Sequence, residues 1–253
     1  MTDWTIILCE GAHDQAALVS LAAVCGEWEL MKEIPRSLPK GLEPTIVVPK
    51  QDKWGGWVFQ RQPAYLSRRN RVLVVRSLGS DNKVLGEAAI DFLGQIRPGA
   101  VGVVVDANDS GVDRRQESFR KRYKALYHHA DDVRAGEVSG NKPRLGLWVA
   151  PNNKTNGKMD DILLKAAKRN HKELTGRGKR FITSLETIES GKWFPSRNNR
   201  NKAILGAVNQ AVRPGASLAA ALHGSNCWFD AGLAAVAPFK QLAAFVETLT
   251  SSS

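Results

Sequence analysis

Cysteine is scarce in this 253-residue chain: Cys9, Cys25 and Cys227 lie far apart. No Cys-x-x-Cys pair exists, which excludes the common zinc frameworks. An odd, sparse count fits a reducing compartment. Long apolar runs are also missing, and none approaches the roughly 18 residues of a membrane span. The richest tail stretch, 231–246, is broken by Pro238 and Lys240. No basic n-region precedes the first apolar stretch and no small-residue cleavage site follows it, so a signal peptide is not expected. The chain reads as cytoplasmic, with no membrane partner. It contains no Walker loop, and no Gly-x-Gly-x-x-Gly follows any apparent strand. His13, His128, His129, His171 and His223 form no metal-ligand pattern, and no spacing supports a Ser-His-Asp or Cys-His nucleophile. There is no internal repeat.

Acid is in short supply too. Thirty-six Lys and Arg stand against 25 Asp and Glu, a net charge of +11. That excess favours a polyanion, DNA or RNA, as partner; a merely soluble basic protein is the plain alternative.

Against this background two acidic segments stand out. Thr5-Ile-Ile-Leu-Cys-Glu-Gly-Ala-His-Asp14 and Val101-Gly-Val-Val-Val-Asp-Ala-Asn-Asp-Ser-Gly111 are each an apolar run ending in acids. Runs of this length and composition read as buried strands. Ligands bind at the carboxyl ends of strands in open α/β sheets. A lone charge just beyond a buried strand is costly, so Glu10 and Asp106 are read as one shared site.

The rest of the chain alternates. Trp4 to Cys9 is the first strand and Asp14 to Val24 a helix. Residues 34 to 67, interrupted by Pro35, Pro39, Pro44, Pro49 and Pro63, read as an irregular insertion. A short hairpin is expected there from Thr45–Val48 and Trp57–Phe59. Further strands are expected at Arg71–Arg76, Val101–Val105 and Arg144–Val149. Helices are expected at Lys83–Ile96, Asp113–Tyr127, Asp160–Ala167, Lys202–Val212 and Pro238–Leu249. The alternation predicts an α/β fold with a mostly parallel sheet covered on both faces. Residues 1–170 would form the core, and 171–250 a helical region packed on it.

Glu10-Gly11-x-x-Asp14 after one strand and the Asp106 to Asp109 cluster after another resemble the motifs of a Toprim domain, the catalytic module of topoisomerases, bacterial primases and some nucleases. Leu145-Gly-Leu-Trp-Val-Ala-Pro-Asn-Asn153, followed by Gly157-Lys-Met-Asp-Asp-Ile-Leu-Leu164, is similar to a stand-alone bacterial Toprim-like family. Segment 71–83 and Pro214-Gly-Ala-Ser-Leu218 extend the likeness. The resemblance implies a Rossmann-like core of four parallel strands, a divalent cation (magnesium or manganese) and phosphodiester chemistry.

On that resemblance Glu10 is a metal ligand or general base and Asp106 the primary ligand. Asp14, Asp109, Asp160 and Asp161 are further acids, and Asp160 matches the family's helix acid best. Asn108 departs from the pattern, standing where the family has an Asp. Its amide oxygen can bind a metal but carries no charge. Asp109 next to it would point the other way on an extended backbone unless a turn re-aims it. Plain readings exist for several acids. Asp14 fits a helix N-terminus, Asp109 and Asp113 fit a turn and a cap, and Asp160-Asp161 fits a helix start.

Basic residues concentrate in two stretches. The helix at 113–127 carries Arg114, Arg115, Arg120, Lys121, Arg122 and Lys124. Segment 165–180 carries Lys165, Lys168, Arg169, Lys172, Arg177, Lys179 and Arg180 with two glycines. The second reads as a flexible loop suited to a phosphate backbone. Lys83, in the turn at 79–83, is a further phosphate candidate at a helix start, although turn chemistry explains that segment equally. Trp54, Trp57 and Phe59 suit base stacking or burial in a small hairpin.

Three functions follow. The first is a metal-dependent nuclease acting on DNA or RNA, in phage defence or RNA processing. The second is a non-catalytic nucleic-acid-binding module with a degenerate metal site. The third is a phosphoryl-transfer enzyme using the same acids on a small substrate. A full topoisomerase would need strand-passage domains for which the chain has no room, and a primase its zinc motif. A homo-oligomer or a protein partner stays open.

Overall fold

The computed structural model describes residues 3–31, 63–141, 143–188, 197–224 and 228–251. The expected hairpin, with Trp54, Trp57 and Phe59, and also Cys227, lie outside the described residues. In chain order the elements are β1 (Asp3–Cys9), α1 (Ala12–Gly26), β2 (Glu29–Leu30), β3 (Ala64–Arg68), β4 (Arg71–Ser77), α2 (Asp81–Val84), α3 (Glu87–Ile96), β5 (Ala100–Asp106), α4 (Val112–Tyr123), β6 (Val138–Ser139), β7 (Arg144–Ala150), α5 (Met159–Asn170), α6 (Lys172–Ile188), α7 (Arg197–Val212), α8 (Leu218–Gly224) and α9 (Ala237–Thr250). Short 3-10 turns occupy His128–Asp132 and Ala231–Ala235.

The strands form one sheet in the order β2-β3-β4-β1-β5-β7-β6. β4, β1, β5 and β7 run parallel. β3 joins β4, β2 joins β3 and β6 joins β7, all antiparallel. The fold is α/β, with seven strands among the described residues rather than the four expected. The added strands widen the sheet at both edges. β3 rises out of the stretch read as irregular and turns back into β4 through Arg69, whose φ is 56°.

Two expected helices are also reshaped. The one at 83–96 is two, α2 and α3, broken at Gly86. A Cβ there would stand 2.1 Å from the Asn82 carbonyl oxygen, so only glycine fits the bend. The basic helix stops at Tyr123 and hands over to the 3-10 turn.

Side chains along the parallel strands alternate between two cores. Ile6, Leu8, Val72, Val74, Val101, Val103, Leu145 and Leu147 face α3 and α4, where Ala89, Leu93, Phe119 and Tyr123 are buried. Ile7, Cys9, Leu73, Val75, Val104 and Trp148 face α1, α5, α8 and α9. The last helix lies on β5 and β7. Its approach depends on Gly102 and Gly146, paired neighbours on those strands. A Cβ at Gly102 would come within 2.5 Å of Leu249, and one at Gly146 within 2.8 Å of the Phe245 ring.

The helix after β1 therefore packs on one face of the sheet and the helix after β5 on the other. Adjacent parallel strands whose connections leave in opposite directions open a crevice at their carboxyl ends, the usual ligand position in such sheets. Among the described residues no helix is long and apolar enough to cross a membrane.

Candidate functional site

A cavity of about 300 Å³ opens at this crevice. Glu10, Asp14, Asp106 and Asp160 line it, with His13, Lys158 and Lys202. Each acid arrives on a different element. Glu10 follows β1, and its Oε1 accepts a hydrogen bond of 2.7 Å from the backbone N–H of Asp106 at the end of β5. Asp106 Oδ1 in turn accepts from the Met159 N–H at 2.8 Å, which places the carboxylate at the amino end of α5. A helix start favours negative charge there. Asp14 Oδ2 accepts from the Gly11 N–H at 2.8 Å. Asp14 thus fulfils its plain reading as a first-turn acid and also faces the cavity. Asp160, only 6% exposed, has the Lys202 ammonium 3.8 Å away.

Four carboxyl groups in one half-closed space repel one another. Burial, and then the charges of Asp14 and Glu10, push Asp106 up to about 8. Burial is also the main cause for Asp14, pushed up to about 7 with Glu10 and Asp160 adding to it. Glu10 and Asp160 are raised by burial as well. His13 is lowered, first by burial, so its imidazole tends toward the neutral form. A cluster of this kind is relieved by taking up protons or by a cation.

The donor set is hard oxygen, which suits magnesium or manganese. The hydrogen bonds above occupy one oxygen each of Glu10, Asp14 and Asp106 and leave the other for a cation. Among the described residues no three His, Cys, Asp or Glu side chains are already gathered as a metal-holding group.

Asn108 and Asp109 do not line the cavity. Asn108 sits at φ 52° and pairs its N–H with the Gly157 carbonyl at 2.9 Å. Asparagine tolerates that left-handed backbone better than most residues, which accounts for it in this turn. Asp109 is exposed. Asp161 closes the start of α5, its Oδ2 accepting from the Lys158 N–H at 2.9 Å.

The basic candidates separate. Arg115 is 12% exposed and paired on the protein side: its guanidinium pairs with Asp81 at 2.8 Å and its Nε donates to the Asp106 carbonyl at 2.9 Å. It braces the site rather than reaching outward. Lys83, Arg114 and Lys172 are exposed. Arg122 pairs with Glu87, Lys124 with Asp131, and Arg169 approaches Asp230 at 3.9 Å. Segment 165–180 is not a flexible loop but the end of α5 and half of α6. Lys165, Lys168, Lys179 and Arg180 are exposed on those helices.

Lys158 and Lys202 are cavity residues that motif reading passed over. Lys158 stands inside the quoted Gly157-Lys-Met-Asp-Asp motif, where it had a signal. Lys202, far along the chain on α7, had none.

Residues 5–245 match the model of a family described as "Protein of unknown function (DUF3226)". The chain belongs to this family. No curated protein matches the DUF3226 chain. Among solved structures it is similar to the "Crystal structure of hypothetical protein PH0156 from Pyrococcus horikoshii OT3". Identity is 14%, the match covers 98% of this chain and 95% of that one, and the TM-score is 0.50. At that identity the likeness speaks for the α/β fold alone.

Proposed function

We propose that the cavity hydrolyses phosphodiester bonds of nucleic acid with the help of a divalent metal, in the manner of a Toprim nuclease. The observation that carries this reading is the hydrogen bond from the Asp106 N–H to Glu10. It joins two acids that the Toprim resemblance assigns to one metal site, at the carboxyl ends of neighbouring parallel strands. Asp14 and Asp160 complete the acidic wall, taking the place that Asn108 and Asp109 do not fill.

Glu10, Asp106, Asp14 and Asp160 would hold the ion. When bound there, magnesium or manganese supplies Lewis-acid stabilisation of the charge gathering on the phosphoryl oxygens. Lys158 and Lys202 give the cavity a cationic rim that attracts and orients the phosphate. His13, held toward neutrality, takes the proton from the attacking water as the water oxygen bonds to phosphorus. The bond to the leaving oxygen breaks, and the Lys158 ammonium, which lines the same cavity, supplies the proton that oxygen needs. The net charge of +11 supports a polyanionic substrate, and the sparse cysteines fit a reducing compartment such as the cytoplasm.

The test is incubation of the full chain with labelled DNA and RNA in magnesium or manganese. Cleavage is expected from the native protein and not from Asp106→Asn. Equal activity in both would end this reading. The non-catalytic alternative rests on Asn108 and predicts salt-sensitive binding with no cleavage in either metal.

A further inference from the structure

A second cavity, of about 350 Å³, lies where α5, α6 and α7 pack together. Its walls carry Lys165 and Lys168 from α5, Lys179 from α6 and Arg200 from α7. Lys165 and Lys168 are three residues apart and so share a helix face. Among the described residues no acid forms an ion pair with Lys165, Lys168 or Lys179. Arg200 is steadied by a bond of 2.8 Å from its guanidinium to the Thr183 hydroxyl. The single acid of the cavity, Asp161, offsets one of these charges and leaves the lining with an excess of positive charge. Its oxygens accept from the Lys158 N–H and from the Asn201 side-chain amide at 2.8 Å.

Thr175 gives a second, independent sign. It is 4% exposed, lines the same cavity, and its Oγ1 has no hydrogen-bond partner. Buried hydroxyls are rarely left unpaired, and a threonine hydroxyl can rotate to donate. Like charges gathered on a cavity whose wall includes a buried threonine with an unpaired hydroxyl are the setting of an anion site. An internal phosphodiester carries one negative charge, whereas a terminal phosphate carries about 1.5 to 2 near neutral pH and three acceptor oxygens. Three lysine ammonium groups without an ion-pair partner among the described residues outweigh the one charge of Asp161 and match the terminal group better.

The cavity also stands in a fixed relation to the acid site. Asp160 and Lys202 line the acidic cavity, and Asp161 and Asn201, their chain neighbours, line the basic one. The two sites lie on either side of the α5–α7 contact.

We infer that the α5–α6–α7 cavity binds the terminal phosphate of a nucleic-acid strand, so that the acid cavity works on strands whose end carries a phosphomonoester. Phosphate binding stands on the cavity itself; the clause about the acid cavity rests on the phosphodiesterase reading.

The experiment uses the full chain in EDTA, so that binding is read without metal-dependent cleavage. Three fluorescent single-stranded oligonucleotides of one sequence are compared by anisotropy: 5′-phosphorylated, 3′-phosphorylated, and hydroxyl at both ends. One phosphorylated form is expected to bind about tenfold tighter than the hydroxyl form, the worth of one charge-assisted hydrogen bond. Millimolar inorganic phosphate should erase the difference. Lys165→Gln/Lys179→Gln should abolish the preference; both side chains are exposed, so folding is not at risk. Thr175→Val should weaken it several-fold without lowering the Tm, because it removes a hydroxyl that bonds to nothing in the protein. Equal binding of all three oligonucleotides would overturn the proposal, and so would a preference unchanged in the double variant. Binding of inorganic phosphate with no preference among the oligonucleotides would mark a free-anion site and also overturn it. A preserved preference with no cleavage in magnesium would remove the phosphodiesterase reading and leave the phosphate cavity standing.

Discussion

Arg115 and Asp81 meet at 2.8 Å, and the same guanidinium donates through Nε to the carbonyl of Asp106. The pair links α4, the start of α2 and the end of β5 behind the acid cavity. Arg115→Ala removes both bonds and leaves a largely buried carbonyl without its donor. A loss of about 1–3 kcal/mol is expected, read as a lower urea midpoint. The affinity for nucleic acid at fixed salt should hardly change. Arg114→Ala, one residue away and exposed, should do the reverse: unchanged stability, and a shallower dependence of binding on salt.

Glu10 serves as hydrogen-bond acceptor and as charge, and two substitutions separate the roles. Glu10→Gln keeps an oxygen for the Asp106 N–H and removes a repelling charge from the cluster. Glu10→Ala removes the charge and also strands the N–H. The alanine variant is expected to be about 1–2 kcal/mol less stable than the glutamine variant by urea unfolding in EDTA. Both should lose magnesium affinity in calorimetric titration. Equal stability of the two would mean that the bond to Asp106 contributes nothing.

The parallel strands were legible because strands buried on both faces read as unbroken apolar runs. Glu10 and Asp106 were legible because each ends such a run. β2 and β6, two residues each, are too short to carry a period. β3, Ala-Tyr-Leu-Ser-Arg, is mixed in character and follows a proline-rich stretch. The α6 helix was misread as a loop because of its charge and of Gly176 and Gly178. Its inward residues, Thr175, Gly178 and Ile182, keep a helical spacing but are too small or polar to signal it. Gly178 is small for a packing reason: a Cβ there would already touch Ala207 and the Ile204 carbonyl across the α6–α7 contact. Lys202 was invisible because only tertiary packing brings α7 to the acids. Arg115 looked like a nucleic-acid contact because a sequence does not show which charges are paired.

The close seating of α9 on the sheet makes a separate prediction. Gly102→Ala pushes a methyl group toward the Leu249 and Ile7 side chains, which have some freedom to yield. Gly146→Ala drives one into the Phe245 ring and Val138, and that ring is further confined by Trp148, 5.9 Å away between centroids. Overpacking of this kind costs about 1–3 kcal/mol, offset in part by the lower chain entropy of alanine. Gly146→Ala should therefore be the more damaging by denaturant midpoint. Equal midpoints for both variants and the native protein would contradict the packing.

The acid cluster ties stability to pH and to metal with a definite sign. Carboxyl groups of the unfolded chain titrate near 4 (about 3.9 for Asp). In the folded protein burial and like charges push Asp106 up to about 8 and Asp14 up to about 7. Between those values the folded state holds more protons than the unfolded one. The contribution of these two acids to stability is fully present below about pH 4 and is lost as pH rises through 7 and 8. His13, lowered by burial, acts in the opposite sense below its ordinary value, so the window from 7 to 9 isolates the acids. In EDTA the Tm is expected to fall across that window. Asp106→Asn should flatten the fall and melt a few degrees higher at pH 8, since its amide oxygen can still accept from Met159. Magnesium should raise the Tm of the native protein more at pH 8 than at pH 6, because deprotonated acids bind it and binding stabilises by mass action. A Tm that is level from 7 to 9 and indifferent to magnesium would show that these four carboxyl groups neither repel one another nor hold a cation.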